Sequence, residues 1–519
     1  MQLGTFQIRF AETTTRFLED HKVLSFCIFS LFYFLGACGR ASFKPFWFDE
    51  LISWYVAQLP SVSGILNALT EGAENHPPLH YFLIRAFHWV FSTGELATRL
   101  PFIIGFWLAL FFLFLFIAKR CGSLIAYISI LFLCLSASYP YAFEARPYAL
   151  VLACCGASLF CWQLAIEGRH RRVALFGLSF SLGMALCSHY YATFLFVPLM
   201  IGEAYRSIRS KRVDWPVWIS MAAGAAVLIP LVPMMLKVRR YSEFFWAKPT
   251  RGTFLISIDW FFRDPVLVCF CGVGCLIGVL EAGHSLTSNK RGPLAGWNVP
   301  SHELVAAMTL MLFPVIGFVF AKFVTQAFTP RYFLPTAIGI ALGLAFLYQR
   351  LLQDRLAIAA LLLVSLLSVF ICKQTVDIRG LVSKKPNIGR VQYIAHALNV
   401  PGDTPVVIST GLEFLQYLQY APKGLKGRLC YLIDRNTDGQ LRSDTVDRSM
   451  GELRKRFPVC VEDYRTFLSS HNHFYVYGSI NLLLIHLLED GVQIKVKNKG
   501  RNMILEVFVD DSLSGKASR

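Results

Sequence analysis

Apolar residues run in long unbroken blocks through the first 372 positions of this chain and in short, interrupted runs after them. The blocks near 23–41, 98–118, 123–142, 148–166, 173–188, 192–206, 215–236, 264–280, 303–323, 332–348 and 355–372 approach the roughly 20 residues that cross a bilayer. They predict about eleven transmembrane helices. Beyond residue 373 the period shortens. Residues 405–410, 429–433, 474–477, 493–496 and 503–509 read as strands, 412–420 as a helix, and Asn498-Lys499-Gly500 as a hairpin turn. The fold class expected is therefore an α-helical polytopic membrane protein with a small C-terminal α/β soluble domain. The expected domains are 1–372, with a first outer loop over 42–97, and 373–519. Within that loop, 49–59, 61–68 and 80–91 have the spacing of short amphipathic helices lying at the membrane surface.

Composition agrees with the pattern: 55% of the 519 residues are hydrophobic and 16% are charged, a balance foreign to soluble domains. Arg9, Arg16 and Lys22 precede the first span and no small-residue cleavage site follows it, so it reads as a retained helix. Basic clusters at Lys119-Arg120, Arg169 to Arg172, Arg206 to Arg212, Lys290-Arg291 and Arg350 with Arg355 mark alternate loops as cytoplasmic. The net charge of +17 is thereby a matter of topology. It is dispersed and lacks any nucleic-acid recognition motif. The remaining loops face outward and hold Asp49-Glu50, Glu144-Ala145-Arg146, Ser188-His189-Tyr190 and Pro330-Arg331-Tyr332. One outward loop breaks the charge rule with Lys237, Arg239, Arg240, Lys248, Arg251 and Arg263, which suit an anionic lipid or phosphate. The 14 cysteines form no metal-ligand spacing. Most lie in apolar spans, while Cys430 and Cys460 pair if the tail is extracytoplasmic.

Carboxylates at a membrane boundary are expensive, which makes the outer acids the first candidates for chemistry. Successive helical side chains point about 100° apart, so Asp49 and Glu50 cannot both face one reacting atom; one acts and the other supports. A carboxylate there serves as general base toward an acceptor hydroxyl. With a phosphate as leaving group, the complementary parts are cations and hydrogen-bond donors, for which Arg331, Arg146, His76 and His189 stand in place. Tyr148, Tyr190 and Tyr332 complete the set as substrate contacts. The plainer readings are that Asp49 caps a helix, that Glu144 and Arg146 form a rim ion pair, that His189 belongs to an aromatic belt, and that Arg331 anchors a headgroup. His80 and His88 share a helical face and read as surface residues rather than metal ligands.

The Asp49-Glu50 pair, the His76-Pro77-Pro78-Leu79-His80-Tyr81 run, Gly94-Glu95 with Arg99-Leu100-Pro101, Glu144-Ala145-Arg146-Pro147-Tyr148 and Arg331-Tyr332 together resemble the GT-C glycosyltransferases of the protein O-mannosyltransferase and aminoarabinose-transferase superfamily. The likeness extends over about residues 20–350 and leans toward the bacterial branch of the rhizobial lipopolysaccharide-core glycosyltransferases. It implies a multi-span inverting glycosyltransferase that uses a polyprenyl-phosphate sugar, sits in a bacterial inner membrane and faces the periplasm. By that resemblance Asp49 is the base, Glu144 the second acid of the outer rim and Arg331 the later basic residue. Relatives often carry lysine before the double proline, where this chain has His76.

The implied partners are a polyprenyl-phosphate sugar donor, a glycan, lipid or protein acceptor, and membrane lipids. No metal site is expected, beyond acids able to hold a divalent cation weakly. The competing functions are an O-antigen polymerase or ligase, whose large outer loop comes late in the chain, and a lipid-linked sugar transporter or flippase. The transporter reading calls for inverted repeats, broken helices and charges near the midplane, whereas these spans read as nearly free of buried acids.

Overall fold

The computed structural model describes residues 2–239, 247–261, 268, 271, 272, 274, 299–352, 355–384, 403–433, 445–479, 482–498 and 503–509. The chain divides into two compact units, one of residues 1–42, 76–242 and 247–379, the other of residues 43–75, 243–246 and 380–519.

In the first unit, five described helices are long and apolar enough to cross a membrane, or up to seven if each of two bent pairs is one span. They include Lys22–Phe43, Tyr148–Glu167 and Pro335–Leu352. The longest, Glu95–Leu135, runs 41 residues but is broken at Gly122, whose φ of 77° belongs to the left-handed region. At about 1.5 Å per residue an unbroken helix would reach twice the hydrocarbon thickness, so the break turns it into the two spans expected over 98–118 and 123–142. The second of these stops early because Ser136 and Ser138 turn their hydroxyls onto the carbonyl of Leu133, at 2.8 and 3.3 Å. Helices Arg171–Ser188 and Phe196–Ser210 occupy two further expected spans, but the second is only 15 residues long. The expected span at 264–280 falls almost wholly outside the described residues.

Buried acids are present in these helices, contrary to the sequence reading. Glu303 and Glu203 are fully buried. Glu303 receives Arg120 Nε at 2.9 Å and Nη2 at 2.5 Å, with Gln163 Nε2 at 3.4 Å. Glu203 receives Trp162 Nε1 at 3.0 Å and Arg206 Nη2 at 2.6 Å, and Arg206 continues to Asp214 at 2.8 Å. Sequence reading missed these acids because each is satisfied by a basic residue that had been assigned only to topology.

The second unit holds a six-stranded sheet in the order β3-β2-β1-β4-β6-β5, from β1 Val406–Ile408, β2 Leu429–Ile433, β3 Val461–Asp463, β4 His473–Gly478, β5 Gln493–Asn498 and β6 Met503–Phe508. Strands β1 to β4 are parallel, β6 runs antiparallel to β4, and β5 closes the edge antiparallel to β6, while most of the turn expected at Asn498-Lys499-Gly500 lies outside the described residues. β1 and β2 are buried on both faces and accordingly read as continuous apolar runs. Edge strand β5 is exposed and carries Lys495 and Lys497, charges that discourage pairing with another chain. The three-residue β3 was not foreseen, being too short to show a period. Cys430 on β2 and Cys460 are joined by a disulfide.

Residues 43–75 belong to this unit. The Phe46 amide donates to Tyr420 Oη at 2.7 Å, Gln416 Nε2 donates to the Phe46 carbonyl at 2.8 Å, and Arg456 pairs with Glu71 at 2.6 Å. Two of the expected surface helices, Phe48–Ala57 and Val62–Glu71, thus dock on the α/β unit. The third, Leu79–Val90, is part of the first.

Removing one partner of a buried pair leaves a bare charge and costs about 3–5 kcal/mol, whereas replacing both by apolar residues is near neutral. Arg120→Met should therefore lower the thermal midpoint strongly, and Arg120→Met with Glu303→Met should restore most of it. A double variant no better than the single one would show that the pair does not hold these helices together.

Candidate active site

Three short 3-10 turns carry or adjoin residues expected at the outer rim: Tyr139–Phe143, Tyr190–Leu195 and Pro330–Phe333. Each follows a helix end or an extended residue and includes or precedes functional candidates. Tyr191 fastens two of them, its hydroxyl donating to the Ala327 carbonyl at 2.5 Å while its ring lies 4.6 Å from that of Tyr332. The Pro330–Phe333 turn is set from behind by Gly317, where a Cβ would stand 1.8 Å from the Phe333 ring. Only glycine admits that approach.

These turns gather six of the predicted residues. The ring of His76 lies 4.9 Å from that of His189 and 6.4 Å from that of Tyr148. His189 in turn lies 5.5 Å from Tyr148 and 4.9 Å from Tyr332. Arg146 Nη2 is 2.6 Å from His76 Nε2, and the guanidinium of Arg331 acts electrostatically on His76, His189 and Tyr332. His80 joins them at 5.7 Å from His76, fully buried rather than on the surface as the sequence suggested.

The hydrogen bonds fix the histidine tautomers. A guanidinium has donors only, so His76 Nε2 accepts from Arg146 and its ring proton sits on Nδ1. At His189 the arrangement is reversed: Nδ1 accepts from the Tyr191 amide at 3.1 Å, which leaves Nε2 to carry the proton. That Nε2–H is buried and has no hydrogen-bond partner among the described residues. His76 therefore orients Arg146, while His189 presents a neutral donor beside two arginines.

Burial and the neighbouring Arg146 push His76 and His80 well below the ordinary histidine range, and burial with Arg146 and Arg331 brings His189 down to about 3. All three are neutral at physiological pH. Burial also raises the Tyr332 hydroxyl, leaving it a neutral donor.

The acids are placed differently. Glu144 is half-buried directly after the Tyr139–Phe143 turn; its carbonyl accepts the Arg146 amide at 2.8 Å and its charge acts on Tyr141. Asp49 and Glu50 lie in the second unit, in the first turn of helix Phe48–Ala57. Glu50 is fully buried and accepts the Trp47 amide at 3.3 Å, so it is Glu50 that caps the helix. Asp49 is half-buried on the next face. Tyr190 starts its turn without a ring contact to the cluster among the described residues, whereas its neighbour Tyr191, overlooked as a site residue, is central. The adjacent Ser188-His189-Tyr190-Tyr191 run was the available signal. Among the described residues no three His, Cys, Asp or Glu side chains are grouped to hold a metal.

Because the folded histidines resist protons that the unfolded chain accepts below about pH 6.5, stability should be level above that value and fall as pH drops toward about 3, by roughly 1.4 kcal/mol per histidine per pH unit. Thermal midpoints between pH 8 and 5 test this. A midpoint that rises on acidification would contradict the neutral cluster.

The sequence model of the dolichyl-phosphate-mannose-protein mannosyltransferase family matches residues 75–236, a stretch that contains His76, Glu144, Arg146, Tyr148 and His189. No curated protein matches the chain. Among solved structures, apo ArnT from Cupriavidus metallidurans is 14% identical, with 95% of this chain and 98% of that one covered at a TM-score of 0.57. The same protein bound to undecaprenyl phosphate gives 14% identity, the same coverage and a TM-score of 0.53. The chain thus shares the fold of ArnT over nearly its whole length, and its residues 75–236 match the model of the dolichyl-phosphate-mannose-protein mannosyltransferase family.

Proposed function

We propose that this protein is an inverting glycosyltransferase that moves a sugar from a polyprenyl-phosphate donor to an acceptor hydroxyl on the extracytoplasmic side of a bacterial inner membrane. The observation that carries the reading is the cluster itself: Arg146 held by a neutral His76, Arg331 beside it, and His189 with its Nε2–H free to donate. Such a set suits a phosphate that gains charge as it leaves. That ArnT, which shares the fold, is seen with undecaprenyl phosphate supports the donor class.

In the reaction the acceptor oxygen attacks the anomeric carbon, the bond from that carbon to the phosphate oxygen breaks, and the phosphate departs with the electron pair. Asp49 takes the acceptor proton. Glu50, capping its helix, holds Asp49 in place, and Glu144 is the second rim acid. Arg146, Arg331 and His189 bind the phosphate, with Tyr148, Tyr190 and Tyr332 as substrate contacts. His76 acts through Arg146 and is a positioning residue. The Cys430–Cys460 disulfide supports an oxidising compartment for the second unit, which we place in the periplasm with the site. We take residues 373–519 to assist in acceptor contact or stability.

Asp49→Asn should abolish transfer, by about 10²-fold or more for a lost general base, while undecaprenyl phosphate still binds. Arg331→Ala should instead weaken that binding, by about tenfold or more for a lost charge-assisted contact. Transfer assays in reconstituted vesicles with a panel of polyprenyl-phosphate sugars, together with lipid-phosphate binding, separate the two effects. Normal transfer by Asp49→Asn would refute the base; lipid-linked sugar crossing the bilayer without transfer would favour a flippase.

A further inference from the structure

His80 stands in the first turn of the 12-residue helix Leu79–Val90, directly after Pro77-Pro78. None of the roles assigned above uses it. Its side chain is fully buried, with its ring 3.7 Å from that of Tyr81 and 5.7 Å from that of His76. Arg146 and His189 both act on it electrostatically. Yet neither of its ring nitrogens makes a hydrogen bond among the described residues.

Such a ring has a specific unmet need. Burial, the Arg146 charge and the positive end of the helix all disfavour the imidazolium, so the ring carries one N–H and one lone pair. The Pro77 carbonyl acts on the ring from outside hydrogen-bonding geometry. A carbonyl only accepts, so it addresses the N–H, and the other nitrogen keeps a lone pair that no donor meets. Buried polar atoms are nearly always paired, and an exception beside a substrate cluster marks a contact made on binding. The chemistry of the missing partner follows. The phosphodiester of a lipid-linked sugar has acceptor oxygens only, which cannot pair with a lone pair. A sugar hydroxyl can donate to it.

We propose that His80 is a donor-sugar contact, whose unprotonated ring nitrogen accepts a hydrogen bond from a hydroxyl of the sugar carried on the lipid phosphate. The inference rests on the glycosyltransferase reading above and adds to it a residue that reads the sugar rather than the phosphate. His76 and His80, four positions apart, thus divide the work: one orients a phosphate-binding arginine, the other selects what the phosphate carries. A buried acceptor left unpaired is also a means of rejecting a donor that lacks the matching hydroxyl.

The test uses the full chain in phosphatidylcholine nanodiscs and compares binding of undecaprenyl phosphate glucose, galactose and mannose with that of undecaprenyl methyl phosphate, a diester of the same charge without hydroxyls. At least one glycosylated lipid should bind about fivefold to tenfold more tightly than the methyl diester, the net worth of a neutral hydrogen bond. His80→Leu should remove that gain while the methyl diester binds as before. Either His80→Asn or His80→Gln, whose amide oxygens stand about where Nδ1 and Nε2 do, should retain the gain, and the one that does identifies the nitrogen. Because His80→Leu deletes two unpaired buried atoms at nearly constant volume, it should not lower the thermal midpoint of the unliganded protein. A gain absent from the wild type, or one that survives in His80→Leu, would overturn the proposal. So would an equal loss of the methyl diester, which marks a phosphate contact, or a lowered midpoint, which marks a purely structural ring. A wild type that binds none of these lipids would remove the lipid-phosphate donor itself, and this contact with it.

Discussion

Arg146 cannot give up its proton, and much of the rim follows from that. A permanent cation buried at 3% exposure must find acceptors, and one of them is the imidazole of His76. This choice keeps His76 neutral and leaves the positive charge uncancelled by that contact. It contrasts with the deeper part of the same unit, where Arg120 and Arg206 meet carboxylates directly. Arg120 and Arg206 hold helices together through carboxylates, and Arg146 is oriented by an imidazole.

The difference explains what was readable in the sequence. Long apolar runs announce helices because the bilayer demands a minimum length, and the site could be assembled from clusters such as Glu144-Ala145-Arg146 once alternate basic loops had been read as lying on the opposite side. Tautomers could not be read, since they depend on a neighbour 70 positions away: only the contact of Arg146 with His76 shows that His76 is an orienter. Glu203 and Glu303 were hidden for a similar reason. A single acid in an apolar run looks negligible until its arginine partner, 183 residues away for Glu303, arrives beside it.

The second unit was legible in a different way. Some of its strands appeared where burial on both faces made a continuous run, as in Leu429–Ile433, and the two last strands, expected as neighbours, pair antiparallel. β3 carried neither signal. Nor did anything in the composition of residues 43–75 say that they would pack with residues 370 to 385 positions later. The anchoring is by backbone groups of Phe46 and a carboxylate of Glu71, which have no sequence signature. As a result, Asp49 is borne on a helix whose footing is the α/β unit, and that unit has a reason to exist beyond its own core.

Gly317 has a consequence for how variation in this chain reads. The phenyl ring behind the Arg331 turn occupies the space where any other residue would place its first carbon. A methyl group there would displace a guanidinium 14 positions away without altering one polar atom. A survey of natural variants restricted to ionisable or hydrogen-bonding residues would pass over this position, and an inactive sequence could look intact at every site residue.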